Sequence, residues 1–194
     1  MAELSLNRKL NFVIPVEVDN GVTVYVHSSP IKRETFEAYY DIFGKTYTAI
    51  YSQGYGLYAG PRMTKMIIKD IAEKSKRWDG PLGVEHGLFP EVRRLTNVVL
   101  PSKTGWGTKP FEDAINEGMF NEDDLNEIEN GIYFFTLASV MNRKSELRPI
   151  LAYVAATWGA QLESLDCTGF ANSLQTLIPD ESTGEKATRS SIPS

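Results

Sequence analysis

Few residues in this chain have the types and spacing for chemistry. It holds two histidines, His27 and His86, and one cysteine, Cys167. A metal site or a Ser-His-Asp triad needs partners that converge on the histidine, and neither sequence neighbourhood supplies them. Both read as surface or boundary histidines. Cys167, in Asp166-Cys167-Thr168, has no base beside it and reads as an ordinary thiol. The acidic run Glu122-Asp123-Asp124 does not follow a calcium-loop spacing, and it fits the capped start of a helix instead.

The run Gly54-Tyr-Gly-Leu-Tyr-Ala-Gly60 superficially looks like a phosphate loop. A dinucleotide fingerprint follows a strand and opens a helix, and a P-loop carries a Lys-Ser/Thr pair. Both contexts are missing, so the run reads as a turn between helices. Arg62, Lys65, Lys69 and Lys76 fall on one helical face interspersed with Asp70 and Glu73, which suits a solvated face. The sequence therefore predicts no catalytic residue, no metal ligand and no cofactor.

The elements that would carry these residues follow from periodicity. Leu10 to Val18 and Val22 to His27 flank Asp19-Asn20-Gly21, a turn that tolerates positive φ, which predicts a β-hairpin. Phe12, Ile14, Val16 and Val18 line one face and meet Val22, Val24 and Val26. Glu17, Thr23 and His27 point away. Pro15 marks an edge or a bulge. Such a hairpin must lie on helices or join another subunit's sheet.

Helical spacing then runs from Ser28-Ser29-Pro30 through Phe36, Tyr39, Tyr40, Phe43, Tyr47, Ile50 and Tyr51. A second helix starts at Pro61 with Met63, Met66, Ile67 and Ile71 inward. A third is expected between Leu82 and Val98, kinked or split at Pro90. Leu100 to Lys109 reads as a loop, Pro110 to Met119 as a short helix. Asn121 caps a longer helix, and Glu146 to Gly159 is the last. The predicted fold is mainly α (α+β), an N-terminal β-hairpin packed on a bundle of about five or six helices with a flexible C-terminal tail. The expected segments are a hairpin at 1–29, a helical body at 30–160 and a tail at 161–194.

That tail is read in two parts. Leu162 to Leu177 is apolar enough to dock transiently, and a solvated stretch follows from Pro179. Neither buries enough surface to offset its ordering entropy.

Composition bounds the function further. The 194 residues carry a formal net charge of −5 and 42% hydrophobic residues. That balance argues against general nucleic-acid binding. Residues 1–109 hold 15 basic and 11 acidic side chains, whereas 110–194 hold 5 and 14. The split suits two differently charged faces, and it allows a homo-oligomer. No apolar run approaches a membrane span or a signal peptide, so a soluble intracellular protein is expected.

The chain resembles tail assembly chaperones of long-tailed, siphovirus-type bacteriophages. The resemblance rests on Leu10-Asn-Phe-Val-Ile-Pro-Val-Glu-Val-Asp-Asn-Gly with Ser-Ser-Pro-Ile31, and on Glu91-Val-Arg-Arg-Leu-Thr-Asn-Val98. It continues in Gly105-Trp106 before Pro110-Phe-Glu-Asp-Ala114, in Trp158-Gly-Ala-Gln161, and in Ser-Leu-Asp-Cys-Thr-Gly-Phe-Ala-Asn-Ser-Leu-Gln-Thr with terminal Ser-Ser-Ile-Pro-Ser. It implies a non-enzymatic late protein of virion morphogenesis. Such proteins bind the tape measure protein in the host cytoplasm, keep it soluble and help recruit tail tube subunits. They are not expected in the mature virion, and a frameshifted longer form is common among them. The alternative is a virion structural subunit, such as a tail completion or connector protein. The residues picked as partner-binding are Trp106, Met63, Met66, Tyr51, Leu165, Phe170 and Leu174, with Trp106 the main candidate for exposure.

Overall fold

The computed structural model describes residues 10–18, 21–52, 56–103 and 105–174. Strands β1 (Asn11–Val18) and β2 (Val22–Ser28) form the expected hairpin, with Ile14 opposite Val26, Val16 opposite Val24 and Val18 opposite Val22. Gly21 takes φ of +69°, a conformation that glycine adopts without a Cβ penalty. Asp19 and Asn20 lie outside the described residues.

The hairpin is the middle of a larger sheet. Strands β3 (Thr96–Ser102) and β4 (Gly105–Pro110) extend it on one side, and β5 (Gln161–Glu163) on the other. The order is β4-β3-β2-β1-β5, with every pairing antiparallel.

Helices α1 (Arg33–Ser52), α2 (Gly56–Lys74), α5 (Glu122–Met141) and α6 (Lys144–Thr157) make the helical layer. Between α2 and β3 come a π-helical turn (Val84–Leu88) and the short α3 (Phe89–Arg94). Helix α4 (Phe111–Asn116) follows β4. Helix α5 is the hub, because it packs against α1, α2, α3, α6 and β1. Its buried run from Ile128 to Ala138 covers nearly its whole circumference, which is why its periodicity is weak. Phe135 stacks on Phe12 with ring centroids 5.4 Å apart, joining this helix to the hairpin's inner face. Gly87 allows another close approach, since a Cβ there would sit 1.9 Å from the Tyr39 hydroxyl.

Several expectations need correction. The third helix does not run to Val98; it ends at Arg94 and the chain turns into β3. The β-branched Thr96, Val98 and Val99 prefer the pleated surface once β2 offers a partner. Of the two effects expected of Pro90, the split is the one seen: the π-helical turn ends at Leu88, and Pro90 occupies the first turn of α3, where its missing N–H costs nothing. The expected loop at Leu100 to Lys109 is the β3–β4 hairpin, with Trp106 opposite Pro101.

The largest correction concerns the tail. Residues 161–174 are not a flexible tail, because they form β5 and helix α7 (Cys167–Ser173). Asp166 caps α7 by accepting the Gly169 N–H at 2.7 Å. Phe170 and Ala171 pack on Val13 and Val99, on the sheet face opposite the helical layer. That face would otherwise leave Val13, Tyr25 and Val99 in water, and burying them offsets the ordering of the segment. The sheet draws strands from each of the three expected segments, so one packed body crosses the boundaries at 29 and 160. The solvated stretch expected from Pro179 lies outside the described residues.

Candidate functional site

Two buried polar clusters and one exposed aromatic face stand out among the described residues. The first cluster centres on Glu129, only 2% exposed on α5. Arg93 grips one carboxylate oxygen through Nε at 3.0 Å and a terminal nitrogen at 2.6 Å. Lys65 of α2 pairs with the other oxygen. Burial lowers the guanidinium pKa of Arg93, but the Glu129 charge and hydrogen bonds outweigh it and hold the pKa above its ordinary value. Tyr133 lies beside the pair, and burial raises its hydroxyl pKa well above the usual range. The next residue, Asn130, accepts the Lys65 backbone N–H at 2.9 Å.

Chemistry there would need access for a substrate. The space among Arg93, Glu129, Tyr133 and Phe111 holds no room for a water-sized molecule. Two cations hold the carboxylate through three hydrogen bonds, Arg93 on one oxygen and Lys65 on the other. The cluster clamps α2, α3 and α5 together.

The second cluster surrounds His27. The sequence places it on the face opposite Val24 and Val26 and predicts a surface or boundary histidine; the face is as expected, but the ring is not at the surface. The ring is fully buried beneath α7. Its Nε2 lies 3.1 Å from the Leu165 carbonyl oxygen, which also accepts from Asn11 Nδ2 at 2.7 Å. A carbonyl can only accept, so Nε2 carries the proton and the neutral ring keeps Nδ1 bare. Nδ1 has no hydrogen-bond partner among the described residues. Burial lowers the His27 pKa below 6.5, against smaller raising effects from its hydrogen bonds and from Glu163 and Asp166. Ser29 donates to Asn11 Oδ1 at 2.9 Å, and Thr96, which donates to the Val92 carbonyl at 2.9 Å, accepts from the Ser28 hydroxyl at 3.0 Å. Cys167 sits nearby, half-buried, and burial pushes its thiol up to about 11. A thiol held so high is protonated at neutral pH and is a poor nucleophile. Among the described residues no three His, Cys, Asp or Glu side chains converge to hold a metal ion.

No family model, curated protein or solved structure matches the chain.

The exposed face is aromatic. Tyr58 of α2 is 84% exposed and Tyr153 of α6 is 45% exposed, yet their rings meet at 6.3 Å. Met66, 61% exposed, lies two helical turns beyond Tyr58 on the same side of α2, with exposed Arg62 between them. Tyr51 is exposed at the end of α1 and packs on Tyr47, whose hydroxyl donates to Asn142 Oδ1 at the end of α5. Burial against this neighbour raises the Tyr51 hydroxyl to about 12.

The residues singled out from sequence are thus scattered. Met66 and Tyr51 lie exposed on the helical layer, and Met63 is half-buried. Leu165 is exposed at the other face, and Leu174 is half-buried. Phe170 is only 2% exposed in the second core, so it is not available to a partner in this state. Trp106 is not an exposed loop residue; it is half-buried against Tyr25, with ring centroids 5.5 Å apart. The basic face on α2 divides. Lys65 turns inward to Glu129, and Lys69 stands 5.2 Å from the centre of the Trp78 ring. Sequence reasoning missed Tyr58 because it lay inside the glycine-rich turn. It missed Tyr153 because that residue sits beside the apolar stripe of α6, not within it. Both are large aromatics at polar positions of a helix, and that was the available signal.

Proposed function

We propose that the protein is a non-catalytic binding protein of the tail assembly chaperone kind. Its task is to hold an amphipathic helical client, the phage tape measure protein, in solution before tail tube subunits assemble around it. One observation carries the docking surface: Tyr58 and Tyr153 meet across two helices while remaining open to water, with Met66 on the same side of α2. Rigid aromatics and an adaptable methionine suit a client recognised by its apolar face. The closed, ion-paired Glu129 cluster and the protonated Cys167 thiol support a binding role over a catalytic one. The alternative of a virion subunit that donates its hairpin to a ring has less support, since β1 and β2 already sit inside the chain's own sheet.

Co-expression with the tape measure protein tests this reading. A soluble complex on size exclusion is expected. An insoluble client with no complex, or abundant peptides of this chain in purified mature particles, would refute it.

A further inference from the structure

Strand β5 covers only part of β1. It pairs with Asn11, Phe12 and Val13 and goes no further. From Ile14 to Val18, β1 has β2 as its only strand neighbour among the described residues. Pro15 falls just past the end of β5, as its missing N–H requires of an open edge. These five residues, with no second strand beside them among the described residues, span about 16 Å at roughly 3.3 Å per residue.

A groove of about 360 Å³ runs along this edge. Pro15, Val16 and Glu17 of β1, Asp124 and Glu127 of α5, and Trp158 line it. Three carboxylates and no basic residue line it. Capping accounts for Asp124, whose N–H is held by Asn121 at 2.8 Å. It does not account for Glu17 or Glu127, which have no ion-pair partner among the described residues. The Trp158 indole N–H is a buried donor with no acceptor among them.

We propose that this groove takes an extended, lysine- or arginine-bearing segment of a partner protein, which adds as a strand beside Ile14–Val18 in line with β5. The main chain of the segment would supply the hydrogen bonds that β5 supplies to Asn11–Val13, and its cations would face Glu17, Asp124 and Glu127. A second copy of this chain fits poorly, because pairing two such edges brings like charges together. The site lies on the sheet edge and is independent of the aromatic helical face.

The probe is a capped octapeptide, Thr-Lys-Val-Lys-Thr-Lys-Val-Lys, titrated into the full chain by calorimetry, with intrinsic tryptophan fluorescence, to which Trp158 contributes, as a second readout. Binding is expected to weaken at least tenfold in the Glu17→Lys/Glu127→Lys variant, whose substituted side chains are exposed and leave the fold intact. It is expected to weaken similarly when alternate peptide nitrogens of the probe are methylated, which keeps the charge but removes donors. No binding of the octapeptide, binding indifferent to charge reversal, or equal binding of the methylated probe would each overturn the proposal. Binding that appears only after residues 175–194 are deleted would assign the groove to the chain's own end and overturn the partner reading. A dimer of the native chain that the charge reversal dissociates would assign it to a second copy and do the same.

Discussion

The His27 imidazole and the Leu165 carbonyl, 138 residues apart in sequence, stand 3.1 Å from one another and fasten the C-terminal segment to the sheet. The bond ties β2 to the turn that precedes α7, and Asn11 on β1 shares the same acceptor. One carbonyl thus anchors two strands.

This anchor makes the fold acid-sensitive. The folded-state pKa of His27 lies below 6.5, so below that pH the unfolded chain binds the proton more readily. Stability then falls as pH drops from about 6.5 towards the folded pKa, by at most about 1.4 kcal/mol per pH unit. Glu163 and Asp166 soften the effect without reversing it. Thermal melts at pH 7.5, 6.5 and 5.5 should show it. The variant His27→Gln, which keeps a donor for Leu165 and cannot titrate, should show a shallower slope. An unchanged slope would mean that other groups dominate the acid response.

Removing residues 161–194 should destabilise the body strongly. The cut takes away β5 and α7 and uncovers Val13, Tyr25, His27 and Val99. Phe170→Ala alone should cost about 3–5 kcal/mol, as expected for a buried phenylalanine. Denaturant unfolding measures both, and a truncated chain with an unchanged midpoint would refute the second core.

Glu129→Gln should cost about 3 kcal/mol, because it leaves Arg93 and Lys65 without their shared counter-charge. Both cations keep partial contact with water, which holds the cost at the lower end. Urea titration reads it directly, and a loss under 1 kcal/mol would show that the clamp contributes little.

The double variant Tyr58→Ser/Tyr153→Ser should behave oppositely. Its stability should stay within about 0.5 kcal/mol of the native chain, since both rings are open to water. Its capacity to keep the tape measure protein soluble should fall at least tenfold in pull-down yield. A variant that still forms the complex in full yield would move the docking surface elsewhere.

Local rules determined much of this molecule. Asn121 as a cap, the Val18–Val22 hairpin with Gly21 in its turn, and the apolar stripes of α1 and α6 need only nearest neighbours in the chain. Their signals are turn chemistry and periodicity, both legible within a dozen residues. The tertiary structure decided the rest. Thr96 to Ser102 became a strand because β2 stood ready beside it, and Leu162 to Ser173 became ordered because the sheet's outer face needed cover. His27 passed from surface residue to buried anchor for the same reason. Its environment is made by Leu165 and Phe170, and no window around residue 27 contains them. The energy of such a contact belongs to two distant segments jointly, so it leaves no periodic trace in either one.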